Sequence, residues 1–173
     1  ASEGFGLRAV RGAVSGYAHS TEISQKALLR AAETARLAVG DGGGTMAGAP
    51  RGTNLKLYTD ADPMADATFA GKIDLLKEID AFTRALDPRI LQVSATIAAG
   101  LQEVEILRPE GLRLTDVRPM ARLNISVIVE QNGRRESGGM GGGGRYGLAR
   151  LMEPAHWQGV AREALRIALV NLE

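Results

Sequence analysis

From Pro88 to Gly147 apolar and polar side chains alternate with a period of two. A chain patterned this way buries one face of each extended segment and leaves the other to solvent, which requires an antiparallel sheet covered on one side. Leu91, Val93, Ala95 and Ile97 alternate with Gln92, Ser94 and Thr96, and Ala99-Gly100 then predicts a turn. Val104 and Ile106 mark a second strand, Pro109-Glu110-Gly111 another turn, and Leu112, Leu114 and Val117 a third strand. Leu123, Ile125, Val127 and Val129 make a fourth, closed by Asn132-Gly133, a pair that accepts the positive φ angles of a two-residue hairpin. Arg134-Arg135-Glu136-Ser137 continues as a strand into residues 138–144, of which six are glycine.

That glycine run admits two readings. It is a bulged strand edge approached closely by another backbone, or a slack connector; the strand-like Arg145-Tyr146-Gly147 beyond it favours the edge. A dinucleotide or P-loop role does not fit, because no helix starts directly after the glycines and no lysine follows them. Arg134, Arg135, Arg145 and Tyr146 are candidate contacts for a peptide or partner protein, with a solvated basic edge that resists aggregation as the competing account of the arginines.

The remaining segments carry helical patterns. Gly4–Val10 and Ser15–Ser20 read as a hairpin about Arg11-Gly12-Ala13, and Ser20 or Thr21 is placed to cap a helix whose apolar positions are Ile23, Ala27, Leu28, Ala31, Ala35 and Ala38. Residues 40–56 form a glycine-rich loop, and its triple glycine lacks the lysine of a phosphate cradle. Asp60, Asp62 and Asp66 have the look of a calcium loop, but Ala65 stands where such a loop needs glycine and Gly71 where it needs a bidentate acid. Thr68 caps a second helix along Ile73, Leu76, Ile79 or Asp80, Thr83 and Leu86, widened by Leu75 and Phe82 and stopped at Asp87-Pro88. A last helix over 154–172 buries Trp157, Val160, Ala161, Ala164, Leu165, Ala168 and Leu172, with Trp157 a core anchor and His156 structural.

The expected fold is therefore α+β: a mostly antiparallel sheet, hairpin plus meander, with three main helices packed on it. The chain is expected to be a single amino-terminal domain fragment of a larger protein over 1–173, with a hairpin and helix at 1–39, the loop at 40–56, a helical segment at 57–88, the meander at 89–147 and the helix at 154–172. Strand, strand and helix occur in this order at both ends, and a duplicated unit predicts strands of the same order and direction in each.

Composition excludes several functions. With no cysteine among 173 residues, disulfides, thiolate metal sites and thiol nucleophiles are all ruled out, and two histidines without a His-Glu-x-x-His spacing make no metal motif. A net charge of +1 disfavours binding nucleic acid through bulk charge. No apolar run reaches the roughly 18 residues of a membrane span, and the start, Ala-Ser-Glu-Gly-Phe-Gly, lacks the layout of a secretion signal, so a soluble chain is expected.

Glu3-Gly4-Phe5-Gly6-Leu7-Arg8-Ala9-Val10, Gly16-Tyr17-Ala18-His19-Ser20 and Glu22-Ile23-Ser24 resemble the amino-terminal half of the TldD/PmbA family, long labelled modulators of DNA gyrase. Val117-Arg118-Pro119, Arg122 to Glu130, Gly133-Arg134-Arg135-Glu136 and Arg145-Tyr146-Gly147 extend the resemblance, and Arg162-Glu163-Ala164 with Ala168 to Glu173 closes it in the manner of the TldD branch. The resemblance implies a cytosolic metallopeptidase subunit acting on small or unfolded peptides, paired with a PmbA-type partner or with a second copy. It also implies zinc held by a His-Glu-x-x-x-His motif and a cysteine in a carboxy-terminal half, so this chain is expected to be trimmed at both ends and to bind no cofactor. No catalytic or metal-binding role falls on any residue here, and the chain alone is expected to be inactive, since the glutamate that would activate metal-bound water is missing. The competing expectation is a non-enzymatic interaction module whose sheet binds a gyrase inhibitor or a toxin–antitoxin component. A nucleotide-binding role, resting on the glycine clusters alone, comes third.

Overall fold

The computed structural model describes residues 2–43, 57–65, 67–109 and 111–173. It divides into two compact units, Ala1–Asn54 and Leu55–Glu173. The glycine-rich segment at 44–56 and Asp66 lie outside the described residues.

In the first unit, β1 (Phe5–Arg11) and β2 (Val14–Ser20) pair antiparallel from Phe5↔Ser20 to Arg11↔Val14. Gly12 supplies the positive φ, 58°, that a two-residue reversal needs. Helix α1 (Gln25–Val39) begins later than its sequence suggests, because Ser24 and not Ser20 or Thr21 is the cap: its Oγ accepts from the Ala27 N–H at 3.1 Å. Ser20 is instead spent in a local turn, accepting from the Glu22 N–H at 3.0 Å. Ala27, Ala31, Ala35 and Val39 form the buried stripe of α1, while Ile23 and Leu28 stay exposed. Small residues suffice because the helix lies very close to the strand: a Cβ on Gly16 would collide with the Ala35 carbonyl and come within 2.8 Å of the Ala38 methyl.

The second unit opens with α2 (Phe69–Leu86), capped by Thr68 as expected and ended at Asp87. Three strands follow, β3 (Ile90–Leu107), β4 (Arg113–Gln131) and β5 (Arg134–Gly144), in the antiparallel order β3-β4-β5. A short α3 (Ala149–Met152) and a long α4 (Pro154–Leu172) complete the unit. The α+β class holds, but the region expected to hold four strands before the Asn-Gly hairpin holds two long ones. Ala99-Gly100 is no turn: Ala99 faces Ala121 and Gly100 faces Met120 in unbroken register. A glycine in a paired strand costs entropy without reversing the chain, and the reversal falls where Gly111 takes φ 80° and its N–H reaches the Arg108 carbonyl at 3.0 Å. Pro119 is tolerated inside β4 because β5 ends opposite Ala121, leaving that stretch a single partner strand.

The glycine run resolves into a regular strand. Residues 138–144 pair with 121–127 without a register shift, so there is no bulge, and Arg145-Tyr146-Gly147 lies in a bend beyond the strand's end. The expected close approach is present: a Cβ on Gly138 would collide with the Ala164 carbonyl and the Ala168 N–H of α4. Ala121, Leu123, Ile125, Val127 and Val129, one face of β4, are sealed beneath α4 residues Trp157, Val160, Ala161, Ala164, Leu165 and Ala168, with Leu75 and Ile79 of α2 alongside. Trp157 is the anchor, 1% exposed and edge-on to Phe82 at 5.2 Å, a geometry worth about 1 kcal/mol beyond its buried area. The hairpin-then-helix order recurs as β1-β2-α1 and β4-β5-α4, each with antiparallel strands and a glycine of the second strand against alanines of the helix; α3 and the added β3 distinguish the second.

Gly138→Ala is expected to destabilise the second unit by about 1–3 kcal/mol, the cost of forcing a methyl into a full space. Gly139→Ala, whose added Cβ would meet neighbours only at 3.7 Å, is expected to cost much less. Urea denaturation of both variants measures the difference, and equal losses would show that the helix contact does not require the glycine.

Candidate functional site

The face of the sheet turned away from α4 is built by the even-numbered residues of β3 and β4 and the odd-numbered residues of β5. Register sets its rows: Ser94 beside Ser126 and Gly139, Thr96 beside Asn124 and Gly141, Ala98 beside Arg122 and Gly143. Because β5 contributes glycines to this face, its surface there is bare backbone, and the side chains of β4 stand beside a shallow groove of about 320 Å³. At Gly143 the bareness is enforced, since a Cβ there would strike the Ala121 carbonyl, while one on Gly141 would push the Asn124 amide aside. Arg122 Nε donates to Asn124 Oδ1 at 2.9 Å, holding both side chains over the groove.

Along the same face of β4 stand Asp116 and Arg118, joined through Nε and Oδ2 at 2.6 Å. The Tyr58 hydroxyl reaches the other carboxylate oxygen at 3.4 Å, and the Arg145 guanidinium lies over the Tyr58 ring at 4.9 Å. The hydrogen bond from Arg118 holds the Asp116 carboxyl below its usual range, aided by the nearby charge of Arg145.

The four candidate contact residues do not converge. Arg134 and Arg135 stand at the hairpin end of β5, and Arg145 and Tyr146 follow its opposite end, so the strand of eleven residues separates them by about 30 Å. Arg134 is engaged with Glu136 at 3.2 Å and with the Asn171 carbonyl of α4 at 2.7 Å, and Arg135 with Glu130 at 2.7 Å. Tyr146 packs against the core, under the guanidinium of Arg150. Arg145 alone of the four joins the outer-face cluster. Tyr58, Asp116, Arg118 and Arg122 were not singled out from sequence, although the parity of Asp116, Arg118 and Arg122 on an alternating strand places all three on one face.

His19 stacks on Tyr17 in the first unit. His156 turns toward Gly142, with its Nε2 buried and, among the described residues, without a hydrogen-bond partner, as is the Trp157 Nε1. Among the described residues no group of three His, Asp or Glu side chains is placed to hold a metal ion, so the donors present do not fit a zinc centre. Asp62 serves a local turn, its carboxylate accepting from the Met64 N–H at 2.9 Å. No helix among the described residues is long and apolar enough to cross a membrane.

Residues 62–172 match the PmbA/TldA metallopeptidase central domain, and residues 1–39 match PmbA/TldA metallopeptidase domain 1. The chain is 38% identical to a metalloprotease TldD homolog of Haemophilus influenzae and 32% identical to one from Buchnera aphidicola of the aphid Acyrthosiphon pisum, in each case over 98% of its own length and 36% of the relative's. Two crystal structures share the fold. A candidate modulator of DNA gyrase from Thermotoga maritima aligns at a TM-score of 0.67 with 13% identity, over 96% of this chain and 37% of that one. Another from Bacteroides thetaiotaomicron aligns at 0.69 with 17% identity, over 98% and 40%. The chain thus spans little more than a third of the length of the relatives it matches.

Asp116 is expected to titrate below the ordinary aspartate value of about 3.9, and Arg118→Gln to move it back up. Carboxyl-carbon NMR titration of the two proteins checks both statements; an unchanged Asp116 in the variant would show that the guanidinium does not set its affinity for protons.

Proposed function

Because the chain belongs to the PmbA/TldD metallopeptidase family, we propose that it is the amino-terminal, non-catalytic part of a TldD-like zinc metallopeptidase, where it shapes the path of small or unfolded peptide substrates and the subunit interface. The observation that carries this reading is β5. Within the described residues β5 pairs with β4 alone, so the main-chain groups of its other edge face no strand, and its glycines leave few side chains to obstruct an approaching backbone. An extended peptide added to such an edge is held main chain to main chain, which suits a substrate of little sequence preference.

The chemistry itself belongs in this reading to a carboxy-terminal part of the protein, where zinc would polarise a peptide carbonyl and activate water. No step of that reaction is assigned to the residues described here, whose task is to hold and direct the chain to be cut. The reading further places the protein in the cytoplasm, paired with a PmbA-type subunit or with a second copy.

A partner-binding role is favoured by one further feature. Beyond the end of β5, residues 100–107 and 113–120 continue as a two-stranded ribbon with Ile106, Leu107, Leu112 and Leu114 exposed near its tip. Two strands alone are marginal in water, and exposed aliphatic clusters mark contact surfaces. The ribbon suits a subunit contact in the peptidase, or a contact with another protein in a non-enzymatic interaction module of the gyrase-modulator type.

The 173-residue chain is expected to leave unfolded casein intact with or without added zinc. Hydrolysis that a chelator abolishes and zinc restores would overturn the non-catalytic assignment. Mixed with an inactive full-length PmbA-type subunit, it is expected to form a complex detectable by light scattering, weakened by Leu107→Asp and Leu114→Asp; failure of the unaltered chain to associate would remove the interface role.

A further inference from the structure

The outer face of the sheet carries an imbalance of charge that the chain as a whole does not have. The net charge of the protein is +1, and its ion pairs are mostly one cation to one anion. On this face, however, Arg118, Arg122 and Arg145 stand with one carboxylate, Asp116, which Arg118 binds and whose proton affinity the charge of Arg145 lowers. Arg122 is exposed and binds only a neutral amide, and Arg145 is exposed and rests on a ring. Among the described residues Arg122 has no acidic partner and Arg145 forms no ion pair, the nearby Asp116 being held by Arg118, so each can turn N–H groups to a carboxylate, which guanidinium binds in a planar, two-point geometry.

The spacing fits an extended ligand. Outward side chains on one strand recur every ~7 Å, placing Arg118 about 13 Å from Arg122 along β4. A peptide strand beside β5 would turn every second side chain onto this face with the same repeat. Gly139, Gly141 and Gly143 place nothing between such side chains and β4, so a glutamate reaching across β5 meets Arg122 or Arg145 directly. Toward the other end, Ser94, Thr96, Asn124 and Ser126 offer hydroxyl and amide groups but no charge.

We infer that the outer face of the β3-β4-β5 sheet selects extended peptides with acidic residues at alternate positions, read by Arg122 and Arg145 across the glycine floor of β5. This inference rests on the peptide-handling role proposed above and adds a preference that main-chain pairing alone lacks. Since the guanidinium groups are exposed, their attraction is screened by salt.

Fluorescence anisotropy of the 173-residue chain with two labelled, end-blocked decapeptides, one of alternating Ser and Glu and one of alternating Ser and Gln, tests it. The acidic peptide is expected to bind about tenfold more tightly at low ionic strength, with the advantage shrinking as salt is raised. Arg122→Gln combined with Arg145→Gln is expected to abolish the difference, and Arg8→Gln, an exposed arginine of the first unit, to preserve it; circular dichroism verifies that each variant is folded. Equal affinity for the two peptides, or equal damage by Arg8→Gln, would overturn the charge selection while leaving peptide handling intact. Binding of neither peptide would overturn both.

Discussion

The close approach of α4 to the second strand of its hairpin is the constraint on which the second unit depends. Helix and sheet surfaces normally meet through layers of large side chains, but here Gly138 meets the backbone of α4 at Ala164 and Ala168. With no side chain to separate them at that point, the larger residues on either side, Trp157 at one end of the helix and Leu165 farther along, close over the β4 stripe from Ala121 to Val129. Packing density of this kind tolerates little change in volume, so the glycine is as much a core residue as any leucine. The first unit repeats the device with Gly16 against Ala35 and Ala38.

The same strand serves its two faces differently. Gly138 is fixed by the helix beneath it. Gly143 is fixed by the Ala121 carbonyl on β4 and Gly141 lies against the Asn124 amide, and their effect is to leave the outer face bare. One glycine run thus satisfies a packing demand on one side, at Gly138, and opens a groove on the other, where a Cβ on Gly143 would strike the backbone of β4. It is also why a strand so poor in side chains holds its register: hydrogen bonding to β4 and contact with α4 replace the cross-strand pairs that usually do this.

Much of the fold was legible because it rests on local chemistry. Thr68 as cap, Asp87-Pro88 as stop, the α4 stripe from Trp157 to Ala168 and the Asn132-Gly133 hairpin are all short-range devices, and each sits where the spacing places it. The structure departs from the local signals where local preference competes with a partner distant in sequence. Ala99-Gly100 has turn composition, yet β4 offers a continuous row of main-chain partners and carries the strand straight through it. Ser20 and Ser24 are both competent caps, and the choice fell on Ser24 because β2 runs on to Ser20 to complete its pairing with Phe5.

Of the candidate site, the sequence by itself determined which residue types were present: no thiols, two isolated imidazoles, an arginine-flanked glycine strand and a family relationship spanning both units. That Asp116, Arg118 and Arg122 share a face follows from their parity only once 113–131 is one strand, which the structure decided by joining two segments that the spacing separates. Tertiary structure alone decided which arginines were free to act. Arg134 and Arg135 are occupied by Glu136, Glu130 and the end of α4, whereas Arg145 is carried onto Tyr58 and beside Asp116, residues far from it in the chain. Pairing of charges depends on distances between segments that only folding sets, and a linear pattern of like residues holds no record of which of them will find a partner.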